Sequence, residues 1–131
     1  MDILNKEAWE QKALIRAGKL SVCELMQETF ARIETVNPHV NALVNLLSKE
    51  DCCQLASEKT SPGGALGGMP MAIKDLANVK GFKTTEGSPL YSERVAENDD
   101  QMVARLRAAG ALFIGKTNTP EFGLGLSLIH I

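Results

Sequence analysis

The chain has 131 residues, 44% of them hydrophobic and 23% charged, with fourteen basic side chains against sixteen acidic ones and a formal net charge of −2. That suffices for one modest domain but not for separate substrate and catalytic domains, and the composition excludes wholesale disorder. Lys and Arg are scattered rather than clustered, which gives no reason to propose nucleic acid as a partner.

Met1 to Glu7 lacks the basic-then-apolar pattern of a secretory signal, and no stretch approaches the length of a membrane span, so a soluble, cytoplasmic protein is expected. Cys23, Cys52 and Cys53 are odd in number and two are adjacent, which does not make a disulfide framework. With no C-x-x-C or His pair they do not make a zinc site either. They are expected to be reduced packing residues.

Residues 6–17 predict a short helix, with Gly18 at its left-handed C-terminal cap. Ser21 to Glu24 has capping-box spacing, and Val22, Leu25, Met26, Phe30 and Ile33 form one apolar stripe on the helix that follows. Asn37-Pro38 is expected to end it, since the proline ring disfavours helical geometry in the residue before it. Val40 to Leu47 is a plausible strand. Ser48 and Asp51 repeat the capping spacing and open a third helix to about Lys59, with Cys52, Leu55 and Ala56 facing inward.

Residues 60–70 are rich in glycine and proline and predict a loop leading into a short buried strand, Met71-Ala72-Ile73-Lys74. Residues 78–89 read as irregular backbone. Asn98 or Asp99 is expected to cap a fourth helix containing Val103, Leu106 and Ala109 and ending at Gly110. Ala111 to Ile114 follows as a buried strand, and residues 115–120 as a turn. This order of helix, glycine and apolar strand belongs to α/β architecture.

Lys74 is the side chain with the strongest chemical reading. It follows three apolar residues and a glycine-rich loop, so it is expected to emerge from the sheet into a partly dry environment. Desolvation disfavours the charged form of a lysine, and a neutral lysine can act as a general base. The same pattern also fits a strand-end lysine that snorkels to water. Asp75, its neighbour, should point to the opposite face and bond to loop amides. Ser88, before Pro89, reads as a turn hydroxyl. Lys116 and Asn118 read as turn residues after a strand, where α/β folds also place site loops. His39 and His130 have no second ligand or base at useful spacing, and Trp9 and Tyr91 no stacking partners in sequence.

The segment Gly68-Met69-Pro70-Met71-Ala72-Ile73-Lys74-Asp75 resembles the one that delivers the catalytic lysine in the amidase signature family. Thr84-Thr85-Glu86-Gly87-Ser88-Pro89 resembles that family's next segment. Residues 99–110 and 111–123, the latter with Gly-Lys-Thr-Asn-Thr-Pro-Glu-Phe-Gly, resemble the helix and strand after it. Ser21 to Ile33 and Val40 to Leu43 fit the family's opening. The motifs occur in the family's order from near the start to about Gly125.

The resemblance implies an α/β fold: N-terminal helices followed by part of a mixed β-sheet flanked by helices. It also implies hydrolysis of a small-molecule carboxylic amide to acid and amine or ammonia, with no cofactor and no metal. The implied machinery is a Ser-Ser-Lys triad. One serine attacks the carbonyl, and a second relays protons to the lysine, here Lys74. Both serines belong to a Gly/Ser-rich run that does not occur in this sequence. Residues 1–125 are thus expected to be the N-terminal part of one domain, with Lys74 an orphan base and the chain alone inactive. Residues 126–131 break the pattern and resemble a translated sequencing adapter, so a foreign tail is expected there. A related possibility within the family is the amidase subunit of a tRNA-dependent amidotransferase; a Schiff-base-forming lysine enzyme is the distant alternative.

Overall fold

A computed structural model describes residues 2–58 and 63–125. The expected α/β architecture is present, with four α-helices and a small mixed sheet among the described residues. The first helix, α1 (Ala8–Arg16), begins where the Glu7 amide donates to the Glu10 carboxylate at 3.0 Å and ends at Gly18, whose φ of 68° is the left-handed cap. Its Lys12 ammonium is buried and donates to the Gly67 carbonyl at 2.6 Å, pinning the helix to the glycine-rich loop.

Helix α2 (Val22–Val40) has the capping box that its sequence predicts. The Ser21 amide donates to the Glu24 carboxylate at 2.8 Å, and the Glu24 amide donates back to the Ser21 hydroxyl at 3.0 Å. Leu25, Met26 and Phe30 form its buried face. The expected stop at Pro38 is not observed, because the helix runs through the proline to Val40. The missing N–H frees only the carbonyl of Glu34, which lies on an exposed face where water can satisfy it. The stop is made by Asn41, which takes the left-handed conformation (φ 47°) and donates its amide to the Asn37 carbonyl at 2.7 Å. Asn37 then serves the next segment: its side-chain amide donates to the Leu43 carbonyl at 3.0 Å and accepts from the Leu43 amide at 2.9 Å.

The expected strand at residues 40–47 shrinks to β1 (Leu43–Val44). Helix α3 (Lys49–Glu58) starts as predicted, with the Asp51 amide donating to the Ser48 hydroxyl at 3.0 Å, and it buries Cys52 and Ala56. Strand β2 (Pro70–Lys74) follows the glycine-rich loop, and helix α4 (Gln101–Ala108) comes after a long irregular segment. Asp100, rather than Asn98 or Asp99, occupies the N-cap position of α4. Asp99 is otherwise engaged, accepting from Arg107 Nε at 2.6 Å and Nη2 at 2.8 Å and from the Lys80 amide at 2.7 Å. The Arg107 hydrogen bonds hold its carboxyl below the usual range.

Strand β3 (Leu112–Thr117) is longer than expected and absorbs residues read as a turn. It is the centre of the sheet, antiparallel to β1 and parallel to β2. Pro70 and Met71 pair with Leu112 and Phe113, and then the register slips so that Ala72 pairs with Gly115. Ile114 therefore has no partner on β2, and this bulge inverts the inward–outward alternation beyond it. Leu112 and Ile114 pack with Met26, Phe30, Cys52 and Ala56 under α2 and α3. Phe113 packs with Ile73, Val79, Phe82 and Val103 on the opposite face. After the bulge, Lys116 pairs with Ile73 and joins that second face.

Candidate active site

Because β2 and β3 are parallel, their carboxyl ends open on the same edge, where α/β sheets place ligands. Lys74 ends β2 there, in register with Thr117 at the end of β3. Its carbonyl accepts from the Ala77 amide at 3.0 Å, so the chain turns at once into the irregular segment. The Lys74 side chain is exposed. The partly dry environment expected from sequence is absent among the described residues. Ile73, one residue earlier, is buried in the core below it.

Asp75 turns the other way and is buried. Its carboxylate accepts from the Thr85 amide at 3.1 Å and from the Thr85 hydroxyl, which is the bonding to the loop that sequence predicts. It also faces Lys116, with Nζ 3.4 Å from Oδ1. Lys116 is not a turn residue: its side chain has no solvent exposure, and its ammonium donates to the Ala77 carbonyl at 2.6 Å and to the Thr84 hydroxyl at 2.9 Å. Burial pulls this lysine below its ordinary value, and the Asp75 charge opposes that pull.

The result is a buried lock beneath the strand ends. Asp75, Thr84, Thr85, Ala77 and Lys116 tie the segment after β2 to the end of β3, and no buried polar side-chain atom among the described residues lacks a partner. Sequence reasoning missed it for a physical reason. Lys116 comes two residues after an apolar run, which read as a strand giving way to a turn, and its acidic partner lies far off in sequence, just past the end of β2.

A second layer of loop covers the same edge. The Ser88 hydroxyl is buried and donates to the Glu121 carboxylate at 2.7 Å, while accepting from the Leu90 amide at 3.4 Å. This is the turn role that its sequence suggests. The Phe122 amide donates to the Glu86 carbonyl at 2.7 Å, and both residues have positive φ, 53° and 54°. Left-handed backbone at non-glycine residues is held only where the surroundings over-determine it, and it gathers at ligand sites. Tyr91 finds a partner that its sequence neighbourhood did not reveal: its ring meets Phe122 edge-on at 5.9 Å. Asn118 donates its amide to Ala42 and its side chain to Asn41, anchoring the turn after β3 to the one before β1. His39 is exposed near the end of α2. His130 and the tail at 126–131 lie outside the described residues. Among the described residues no three His, Cys, Asp or Glu side chains are grouped to hold a metal.

The Amidase family profile matches residues 24–130 of this chain. The chain belongs to the amidase family. It is 37% identical over 121 residues to an acylamidase of Rhodococcus erythropolis, covering 88% of this chain and 25% of that protein. It is equally 37% identical over 118 residues to a glutamyl-tRNA(Gln) amidotransferase subunit of Syntrophobacter fumaroxidans, covering 87% and 24%. Among solved structures, the substrate complex of 6-aminohexanoate cyclic dimer hydrolase superposes with a TM-score of 0.81 at 33% identity, over 93% of this chain and 25% of that one. The peptide amidase of Stenotrophomonas maltophilia superposes with a TM-score of 0.76 at 31% identity, over 85% and 24%. The amidase-family chain thus spans about a quarter of the length of the relatives it matches.

Proposed function

We propose that this chain carries the lysine of a Ser-Ser-Lys triad, Lys74, for an enzyme that hydrolyses a small-molecule carboxylic amide to acid and amine or ammonia. The observation that supports the reading is the position of Lys74. It is the last residue of β2, at the carboxyl edge of two parallel strands, inside the segment that resembles the family's lysine motif. The buried Asp75–Lys116 lock immediately behind it fixes the backbone from which it projects.

In this reading Lys74 accepts the nucleophile's proton through the relay serine as the tetrahedral intermediate forms, and returns it to the leaving amine. The serines, and the surface that would dry Lys74, come from a longer parent protein, and the chain alone is inactive. The parent is cytoplasmic in keeping with three free thiols. No helix among the described residues is long and apolar enough to cross a membrane.

The test is ammonia or amine release by this chain and by a version extended to the full length of the relatives. Activity is expected only in the extended protein, and Lys74→Ala there should lower kcat by about 10²–10⁴-fold, the usual scale for removing a general acid–base group. An extended protein that keeps its rate without Lys74 overturns the assignment. Hydrolysis by the chain alone would place the nucleophile within it. A second reading, an amidotransferase-like role, draws on the equal identity to the Syntrophobacter protein. Turnover of glutamine in preference to other amides would favour it.

A further inference from the structure

An aromatic corner stands on the second layer of loop at the carboxyl edge of the sheet. Tyr91 and Phe122 meet edge-on at 5.9 Å with their planes 80° apart, and they are 38% and 40% exposed. Contacts along the loops join this corner to Lys74. Asp75, beside Lys74, accepts from the Thr85 amide, and Glu86, next to Thr85, accepts the Phe122 amide through its carbonyl. Gly123, at a φ of 72°, lies so close to Leu76, two residues past Lys74, that a Cβ there would fall 2.8 Å from the leucine side chain. The turn that presents Phe122 therefore packs on the segment leaving the Lys74 strand.

The corner is also held rigidly. Glu86 and Phe122, joined by that hydrogen bond, both keep left-handed backbone, which their surroundings must over-determine. The Arg94 guanidinium lies 5.2 Å from the Tyr91 ring centre while its nitrogens donate to Glu86 and Asn78, each at 2.8 Å. Glu121 accepts from the Ser88 hydroxyl. These ionic side chains are engaged within the loops, which leaves the open ring surface as what this turn offers a ligand. Exposed aromatic surface is stabilised by being covered, and two rings near a right angle make a corner that a third ring meets in edge-to-face geometry.

We propose that Tyr91 and Phe122 determine specificity in the amide site, holding the aromatic substituent of an aryl-bearing carboxamide while its carbonyl lies toward Lys74. The proposal rests on the reading of Lys74 as the base of an amide hydrolase. It names the substrate class: amides with an aromatic substituent, in preference to small polar amides such as glutamine. Contacts to the ring, remote from the reacting bond, orient the carbonyl for attack.

The test measures kcat/KM for phenylacetamide and acetamide in the extended protein. Phenylacetamide is expected to be favoured by about 10-fold or more, and Phe122→Ala or Tyr91→Ala should cut that ratio severalfold, chiefly through the KM for phenylacetamide. Tyr91→Phe, which keeps the ring, should hold the ratio. Both rings are partly exposed, so these variants are expected to fold. A preference for acetamide or glutamine, or a ratio that survives loss of both rings, would overturn the proposal. A second measurement is independent of catalysis: magnetic saturation transferred from the 131-residue chain to the ring protons of phenylacetamide. Transfer is expected from the parent chain and should vanish in the Tyr91→Ala/Phe122→Ala double variant. If the extended protein hydrolyses no amide, the role given to Lys74 is what fails, and this transfer alone decides the corner. No transfer from the parent chain, or transfer that persists without both rings, sinks the proposal.

Discussion

The pair formed by Asp75 and Lys116 shows how much a single buried charge can govern. Two ions out of water cost several kcal/mol each in desolvation, and their attraction offsets that only with good geometry and further hydrogen bonds. Here the further bonds exist, from Thr85 to Asp75 and from Lys116 to Thr84 and Ala77. Lys116→Met removes the cation and leaves the buried carboxylate facing no charge. It should cost about 3–5 kcal/mol in urea unfolding, with Asp75→Asn costing less because the amide still meets Thr85. Equal and negligible losses in both variants would mean that water reaches the pair.

Cys52 makes a residue-scale prediction about pH. Burial, the largest cause, pushes its thiol from 9.0 up to about 11. In the unfolded chain it loses its proton first, so the unfolded state binds fewer protons between those values and stability falls as pH rises from about 9 to 11. Below about 9 the contribution is fully present. Lys116, lowered by burial, acts with the opposite sign on the alkaline side, so the comparison must isolate the thiol. The stability of Cys52→Ala should fall less steeply than that of the parent across this window, with a difference approaching about 2–3 kcal/mol. Parallel pH profiles would show that the thiol is not desolvated.

At the scale of elements, local signals that depend on neighbours in sequence were legible. The Ser21–Glu24 box, the Ser48–Asp51 cap, the Gly18 terminus and the apolar stripe of α2 all appear where spacing predicts them. Pro38 did not stop α2, because a missing N–H near an exposed helix end costs little. The glycine-rich loop earns its composition at Gly110, which has a φ of 95° and where a Cβ would lie 2.4 Å from the Gly63 carbonyl oxygen. The loop docks against this turn, with the Gly68 amide donating to the Gly110 carbonyl at 3.1 Å. Gly110→Ala meets both backbone strain and a clash, and should lower stability by more than about 1 kcal/mol in thermal unfolding. A neutral substitution would mean the loop is not seated there.

For the whole molecule, three strands make a sheet whose outer edges, on β1 and β2, are unpaired among the described residues. Trp9 is 71% exposed beside an apolar groove that runs along α1 to Met69 and Met71, and Leu90 and Leu124 are more exposed still. Open strand edges and exposed apolar side chains together favour association. The chain on its own is expected to elute as oligomers in size-exclusion chromatography. A monodisperse monomer with a sharp, cooperative thermal transition would contradict this.

The amino-acid sequence by itself determined the α/β class, most helix boundaries, the strand ending in Lys74 and membership of the amidase family. Those properties rest on periodicity, caps and contiguous motifs, which act over a few residues. Only the tertiary structure decided that Lys74 is exposed while Lys116 is buried. The bulge at Ile114 inverts the facing of β3, and it arises from register against β2 rather than from any local propensity. A lysine two residues past an apolar run can face water or core, and here it falls to the core where a carboxylate just past the end of another strand is waiting.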